Sequence, residues 1–215
     1  MFIYLDNAAT TRVSDTALSA MLPYFQEQYG NPSSLYAFGQ EAKEALERAR
    51  ETVAGLLNCE AGEIIFTSGG TESDNLAIWG RLAAMHHPGE VLYTAAEHEA
   101  VKNACLEAQA RYGVAAREIP LLPSGTVDLT ALEGMLGPQT ALICVMQVCN
   151  ETGVIMPVKE ICGLRDRLAP QAAIHVDGVQ GYLRVPFSFK ETKVDSYALS
   201  AHKIHGPKGV GALVL

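Results

Sequence analysis

Apolar residues recur along the chain with two different periods. Helical spacing appears at Ala17, Leu18, Met21, Leu22 and Phe25, at Ala42, Ala45, Leu46, Ala49, Val53 and Leu56, at Val101, Ala104, Cys105, Ala108 and Tyr112, and at Val158, Ile161, Cys162 and Leu168. Short apolar runs of strand length occupy 63–67, 91–95, 114–119, 140–148, 172–176, 195–199 and 210–215. Their alternation with helices predicts an α/β fold, an open and mostly parallel seven-stranded sheet covered by helices on both faces. No internal repeat, low-complexity tract or flexible linker interrupts the pattern. The expected organisation is one compact domain over 14–215, preceded by an N-terminal arm, 1–13.

A chain of 215 residues with 48% hydrophobic content can bury a substantial core. The formal net charge of -8, with no basic stripe, argues against direct nucleic-acid binding or an acidic membrane surface and leaves small-molecule chemistry as the expectation. The first residues lack a basic segment followed by a long apolar core, and no apolar run reaches bilayer length, so a cytoplasmic location and no membrane contact are expected. The five cysteines (Cys59, Cys105, Cys144, Cys149, Cys162) are scattered, without the spacing of a metal site. Cys105 and Cys162 fall on apolar helical stripes and Cys144 in an apolar run, which predicts buried, reduced thiols rather than a catalytic one.

In an open α/β sheet, ligands sit at the carboxyl ends of the strands. Polar segments follow five of the predicted strands. Gly69-Gly70-Thr71 comes after Thr67, His98 after Ala95, Asn150 after Val148, Asp177 after Val176, and Ser200 to Lys203 after Leu199. Lys203, before the turn at Gly206-Pro207, is either a surface lysine or an amine whose pKa is lowered for imine formation with an aldehyde cofactor. Gly70 and Thr71 open a helix near Glu72, which provides either an anion-binding helix end or an ordinary turn with Thr71 as N-cap. Ser200 and His202 add donors that could close a phosphate cup. Asp177 is either a strand-end turn residue or a carboxylate that keeps a pyridine nitrogen protonated, and Gln180 lies three residues on.

Taken with Tyr4-Leu5-Asp6-Asn7-Ala8-Ala9-Thr10-Thr11, Gly30-Asn31-Pro32-Ser33-Ser34, Thr67 through Asn75, Ala96-Glu97-His98 and His175-Val176-Asp177, these segments carry a resemblance. From Tyr4 to Leu215 the chain resembles the cysteine desulfurases of the NifS/IscS type, within the class V aminotransferase-like enzymes. The resemblance implies the large domain of a fold type I pyridoxal phosphate (PLP)-dependent transferase, with its C-terminal small domain missing. It implies pyridoxal 5'-phosphate as cofactor, joined to Lys203, with Gly70, Thr71, Ser200 and His202 at the phosphate. It further implies Asp177 at the ring nitrogen, Gln180 and Asn150 near the ring oxygen, and His98 against the ring face, with Lys203 and His98 as catalytic groups. L-cysteine would be the substrate and alanine a product, the sulfur passing to an enzyme cysteine as a persulfide. That sulfur would serve an iron–sulfur scaffold or tRNA-thiolation protein, and the enzyme would be a homodimer.

In the family, the sulfur-accepting cysteine and the arginine that grips the substrate carboxylate lie beyond the position of Leu215, so this chain alone is expected to transfer no sulfur. Three departures stand out: Leu35-Tyr36-Ala37 where a histidine is usual, His205 where an aromatic is usual, and Cys149 where asparagine is common. Selenocysteine lyases, other class V PLP enzymes and a non-catalytic truncated or split gene product are the alternatives the residues leave open.

Overall fold

Seven strands form one sheet in the computed structural model, which describes residues 3–85 and 89–215. They are β1 (Ile64–Thr67), β2 (Glu90–Thr94), β3 (Ala115–Ile119), β4 (Thr140–Met146), β5 (Ala173–Asp177), β6 (Ser196–Ser200) and β7 (Gly211–Val214). Their order across the sheet is β1-β7-β6-β5-β4-β2-β3. Only β7 runs antiparallel to its neighbours, β1 and β6, so the carboxyl ends of the other six strands share one edge. Each predicted apolar run overlaps a strand, to within a residue at the start of each. The run 140–148 stops being strand at Met146, because Gln147 and Val148 turn away and Val148 pairs in an isolated bridge with Ile155.

Helices α1 (Asp15–Gln26), α2 (Ala37–Leu57), α3 (Gly70–Ala83), α4 (Glu99–Tyr112), α5 (Leu129–Met135), α6 (Val158–Leu168) and α7 (Phe189–Thr192) accompany the strands, with single 3-10 turns at Ala61–Glu63 and Ala201–Lys203. Four of these carry the predicted stripes, and α3 starts two residues before Glu72. The seven residues of α5 and four of α7 are too few to show a helical period. Local chemistry marks the ends: Ser14 accepts the Ala17 N–H at 3.1 Å to cap α1, Asp128 accepts the Ala131 N–H at 3.0 Å to cap α5, and Gly113 closes α4 at φ 67°.

Strand alternation splits the core into two layers. Val91, Tyr93, Leu142 and Cys144 pack against Ile78 and Leu82 of α3 and Val101, Ala104, Cys105 and Ala108 of α4. Leu92, Ile143, Val145, Ile174 and Val176 point to the opposite face, where Leu57, Leu132 and Ile161 meet them. Cys105, Cys144, Cys149 and Cys162 are buried, and Cys59 is partly so. The stripe of α1 has the right period but no buried residue, leaving Leu22 51% and Phe25 71% exposed because no described element packs over it. No helix among the described residues is long and apolar enough to cross a membrane.

The arm preceding α1 is tied to the segment after β6. Thr11 donates its N–H to the His202 carbonyl at 2.9 Å, and Ser14 does the same to His205 at 2.9 Å. The His205 N–H returns a bond to Thr11 Oγ1 at 2.7 Å. Two stretches almost two hundred residues apart in sequence thus meet at the carboxyl edge of the sheet.

Candidate active site

A cavity of ≈ 480 Å³ opens at that edge, a volume suited to a small cofactor. All nine residues singled out from sequence line it: Gly70 and Thr71 from α3, His98, Asn150, Asp177 and Gln180 from the loops and strand ends, and Ser200, His202 and Lys203 from the end of β6 onward. Parallel strands bring them together, since each strand delivers its following loop to the same edge.

At one end of the cavity α3 begins. Its cap residue is Gly69, at φ 156° and ψ -178°, a region essentially confined to glycine. Thr71 is therefore the second helical residue and does not cap the helix. Gly69 has no side chain to occupy the helix end, and Glu72 reaches back to the Ser68 N–H (2.7 Å) and Oγ (2.5 Å), away from the cavity. A Cβ added to Gly70 would lie 2.6 Å from Val179 Cγ2 and 3.8 Å from Ser200 Cβ, so glycine there keeps open a cradle between α3, β6 and the loop after β5. The positive end of α3, with Ser200 and His202 beside it, is suited to an anion. His202 is fixed by a 3.0 Å bond between Nδ1 and Thr10 Oγ1, and burial, then Lys203 and Lys208, push its pKa down.

Lys203 is half-buried, and its Nζ donates to the Ala8 carbonyl at 2.6 Å and the Ala9 carbonyl at 2.9 Å. Its pKa is lowered chiefly by burial, with Arg184 adding to the effect and Asp177 and Asp6 opposing it. An amine so placed is more readily neutral, the form that attacks a carbonyl. Gln180 Nε2 donates to the same Ala8 carbonyl at 2.8 Å. Arg184 donates to Gln180 Oε1 at 3.0 Å and to the Lys203 carbonyl, clamping the two residues.

Asp177 ends β5 with its Oδ1 accepting the Val179 N–H at 2.9 Å. Burial pushes its pKa up to about 7, with Asp74 contributing and the Val179 bond, His175 and His98 opposing. His98 caps α4: its Nδ1 accepts the Ala100 N–H at 3.1 Å. Asn150, partly buried, lies in the turn after β4.

Asp6, Ala8, Ala9, Asp74, Met146, Val148 and Val179 also line the cavity without having been singled out. Ala8 and Ala9 act through backbone carbonyls, for which side-chain patterns carry no signal. Asp74 did leave one, because it stands four and eight residues before Ile78 and Leu82 on the buried stripe of α3. Among the described residues lining the cavity there is no thiol.

A family model described as Aminotransferase class-V matches residues 3–215. Cysteine desulfurase 2 of Trichormus variabilis is 45% identical over 213 residues, covering 99% of this chain and 53% of its own length. Cysteine desulfurase NifS of Azotobacter vinelandii is 43% identical over 216 residues, covering 99% and 52%. Among solved structures, a NifS-like protein superposes with TM-score 0.95 at 37% identity, over all of this chain and 59% of the other. A structure described as SspA in complex with cysteine superposes with TM-score 0.92 at 31% identity, over all of this chain and 61% of the other. The chain spans about half the length of the curated relatives it matches.

Proposed function

The chain belongs to the class-V aminotransferase family, and on that footing we propose that it is the cofactor-binding portion of a cysteine desulfurase that holds pyridoxal 5'-phosphate through Lys203. The observation that carries this reading is the single cavity in which a half-buried lysine, a buried carboxyl and an uncapped helix end face one another. The donor set fits the cofactor at both ends: the Gly70 cradle and the start of α3 suit a phosphate dianion, and Asp177 suits a protonated pyridine nitrogen. When bound, the cofactor supplies an aldehyde that condenses with amines and a ring that accepts the electron pair released at the substrate Cα.

The chain's own groups then have separable tasks. Gly70, Thr71, Ser200 and His202 would hold the phosphate; Asp177, ionised, would keep the proton on the ring nitrogen. Gln180, oriented by Arg184, and Asn150 would bond the ring oxygen. The Lys203 amine would take the proton from the substrate Cα, for which its lowered pKa suits it. His98 would hold or give a proton at Nε2.

L-cysteine is the proposed substrate, supported by the named activity of the relatives and the cysteine bound in the SspA structure. In the balanced reaction L-cysteine and a protein thiol give L-alanine and a protein persulfide. Since no thiol lines this cavity among the described residues, we assign the accepting thiol to the half of the relatives that this chain does not span. The same full-length setting is where dimerisation and a scaffold or tRNA-thiolation acceptor protein belong.

The test is chemical. The 215-residue chain incubated with pyridoxal 5'-phosphate should develop a visible absorption band, and borohydride should attach the cofactor to the peptide containing Lys203. Lys203→Ala should abolish attachment; equal labelling of that variant would overturn the assignment.

A further inference from the structure

Behind the wall of the cavity one side chain joins two of the residues that line it. Arg184, in the loop after β5, is not among the described residues lining the cavity, yet its Nη1 donates to Gln180 Oε1 at 3.0 Å and its Nη2 to the Lys203 carbonyl. Gln180 Nε2 in turn donates to the Ala8 carbonyl at 2.8 Å, and Lys203 Nζ donates to the same oxygen at 2.6 Å. These four residues close a ring that links the N-terminal arm, the loop after β5 and the turn after β6. The loop itself is held tightly, since the Tyr182 N–H donates to the Gly178 carbonyl at 2.8 Å and the Arg184 and Val185 N–H groups both donate to the Gly181 carbonyl at 2.9 Å. Within it Leu183 takes φ 60°, a left-handed conformation unfavourable for a residue with a Cβ, while its side chain is 56% exposed. Burial of the leucine cannot hold it there, whereas the bonds of the turn and of Arg184 can.

We propose that Arg184 is a positioning residue that fixes Gln180 with its amide nitrogen on the cavity side and braces Lys203 by its backbone. The inference deepens the proposed cofactor reading and rests on it for its functional consequence. A guanidinium only donates and a backbone carbonyl only accepts, so the Gln180 amide has one productive orientation between Arg184 and Ala8. Turned over, it would set N–H against N–H at Arg184 and oxygen against oxygen at Ala8, losing both bonds. Because Ala8 lines the cavity and Arg184 does not, the nitrogen is the end on the cavity side. Its second hydrogen is then a donor, suited to an acceptor such as the ring oxygen and not to another N–H.

At Lys203 the grip is on the carbonyl, so the amine itself is left out of the clamp. The fork and the charge of Arg184 have separate effects there. The fork fixes where the Lys203 backbone lies, because only a guanidinium can span two acceptors in one plane. The charge adds to burial in lowering the Lys203 pKa, opposed by Asp177 on β5 and Asp6 on the arm. His202, beside Lys203 in the chain, faces it as well, and Lys208 faces His202. Removing the Arg184 cation therefore raises the Lys203 pKa, and replacing it by another cation does not.

The experiment compares the cofactor-free 215-residue chain with Arg184→Met and Arg184→Lys by NMR, with ¹⁵N in the glutamine side chains and ¹³C in the lysines. In the parent the Gln180 amide protons should show Overhauser contacts to Ala8 and Ala9. In Arg184→Met these contacts should be lost, and the Lys203 Cε titration midpoint should rise by about half a unit, a roughly threefold gain in proton affinity. Arg184→Lys keeps the charge without the fork, so its Gln180 contacts should weaken while its Lys203 midpoint stays near the parent's. Gln180 contacts unchanged in both variants, or a Lys203 midpoint unchanged in Arg184→Met, overturns the inference. Arg184 is exposed, so both variants should fold; should Arg184→Met fail to, the Gln180 contacts in Arg184→Lys decide. Borohydride labelling of Lys203 after addition of pyridoxal 5'-phosphate to the parent separates the two claims. Labelling with Gln180 indifferent to Arg184 refutes the clamp alone, and Gln180 dependent on Arg184 without labelling refutes the cofactor reading alone.

Discussion

Replacing Asp177 by asparagine should stabilise the cofactor-free chain at alkaline pH while impairing its chemistry. In the folded chain the carboxyl is raised from 3.8 to about 7, so between those values the folded state binds a proton that the unfolded state has lost. Stability therefore falls as pH rises through this window, by up to about 1.36 kcal/mol per unit, and reaches a penalty of roughly 4 kcal/mol above the folded value. Below the unfolded pKa both states are protonated and the penalty vanishes. Asparagine cannot ionise, yet its Oδ1 can still accept the Val179 N–H that Asp177 holds at 2.9 Å. Urea unfolding followed by circular dichroism should thus find Asp177→Asn and the parent nearly equal near pH 4, with the variant more stable near pH 8 by a few kcal/mol. An equal or negative difference at pH 8, or the same difference at both pH values, would refute the reasoning. Where turnover is measured the effect should reverse, because the pyridinium loses its counter-charge: Cα proton removal should slow by more than about tenfold, or about 1.4 kcal/mol. A group that is unfavourable to folding and favourable to chemistry is the expected signature of a functional site.

Two further substitutions test the supporting architecture. Gly70→Ala places a Cβ 2.6 Å from Val179 Cγ2 and should drive Val179 into the cavity, costing about 1–3 kcal/mol of stability and weakening phosphate-dependent cofactor binding by more than about tenfold in a fluorescence titration; unaltered affinity would remove the cradle from the argument. Arg165→Ala removes a buried guanidinium that bonds Asp195 Oδ2 at 3.0 Å, the Ala172 carbonyl at 2.9 Å and the Lys193 carbonyl at 2.8 Å, joining α6 to the starts of β5 and β6. It should cost about 3 kcal/mol in denaturant unfolding, since buried acceptors lose their donor, and a loss under about 1 kcal/mol would count against it.

The strands were legible because sheets buried on both faces need apolar residues throughout, and the runs at 91–95 and 172–176 each lie within a residue of β2 and β5. The site was legible for a related reason: in a parallel sheet each strand hands its loop to one edge, so residues after five strands must converge whatever their order across the sheet. Short elements escaped notice, since α5 and α7 make too few turns to display a period. Asp74 stood inside a quoted motif, but a lone carboxyl on an apolar stripe does not disclose whether it faces water, a cation or another acid.

The sequence by itself determined which segments are strand and helix and which polar residues follow the strands, because those properties depend on a residue and its near neighbours. Strand order, the reversal of β7, the docking of the arm carbonyls of Ala8 and Ala9 on Lys203, and the hydrogen bond between Asp74 and His175 were decided only by the tertiary structure. Each of these joins residues about one hundred positions apart or more, or depends on which strand lies beside which. Such contacts are selected by the packing of the whole core, and so are the pKa shifts, because the dry environment that moves Asp74 and Asp177 exists only after α3 has closed over the sheet.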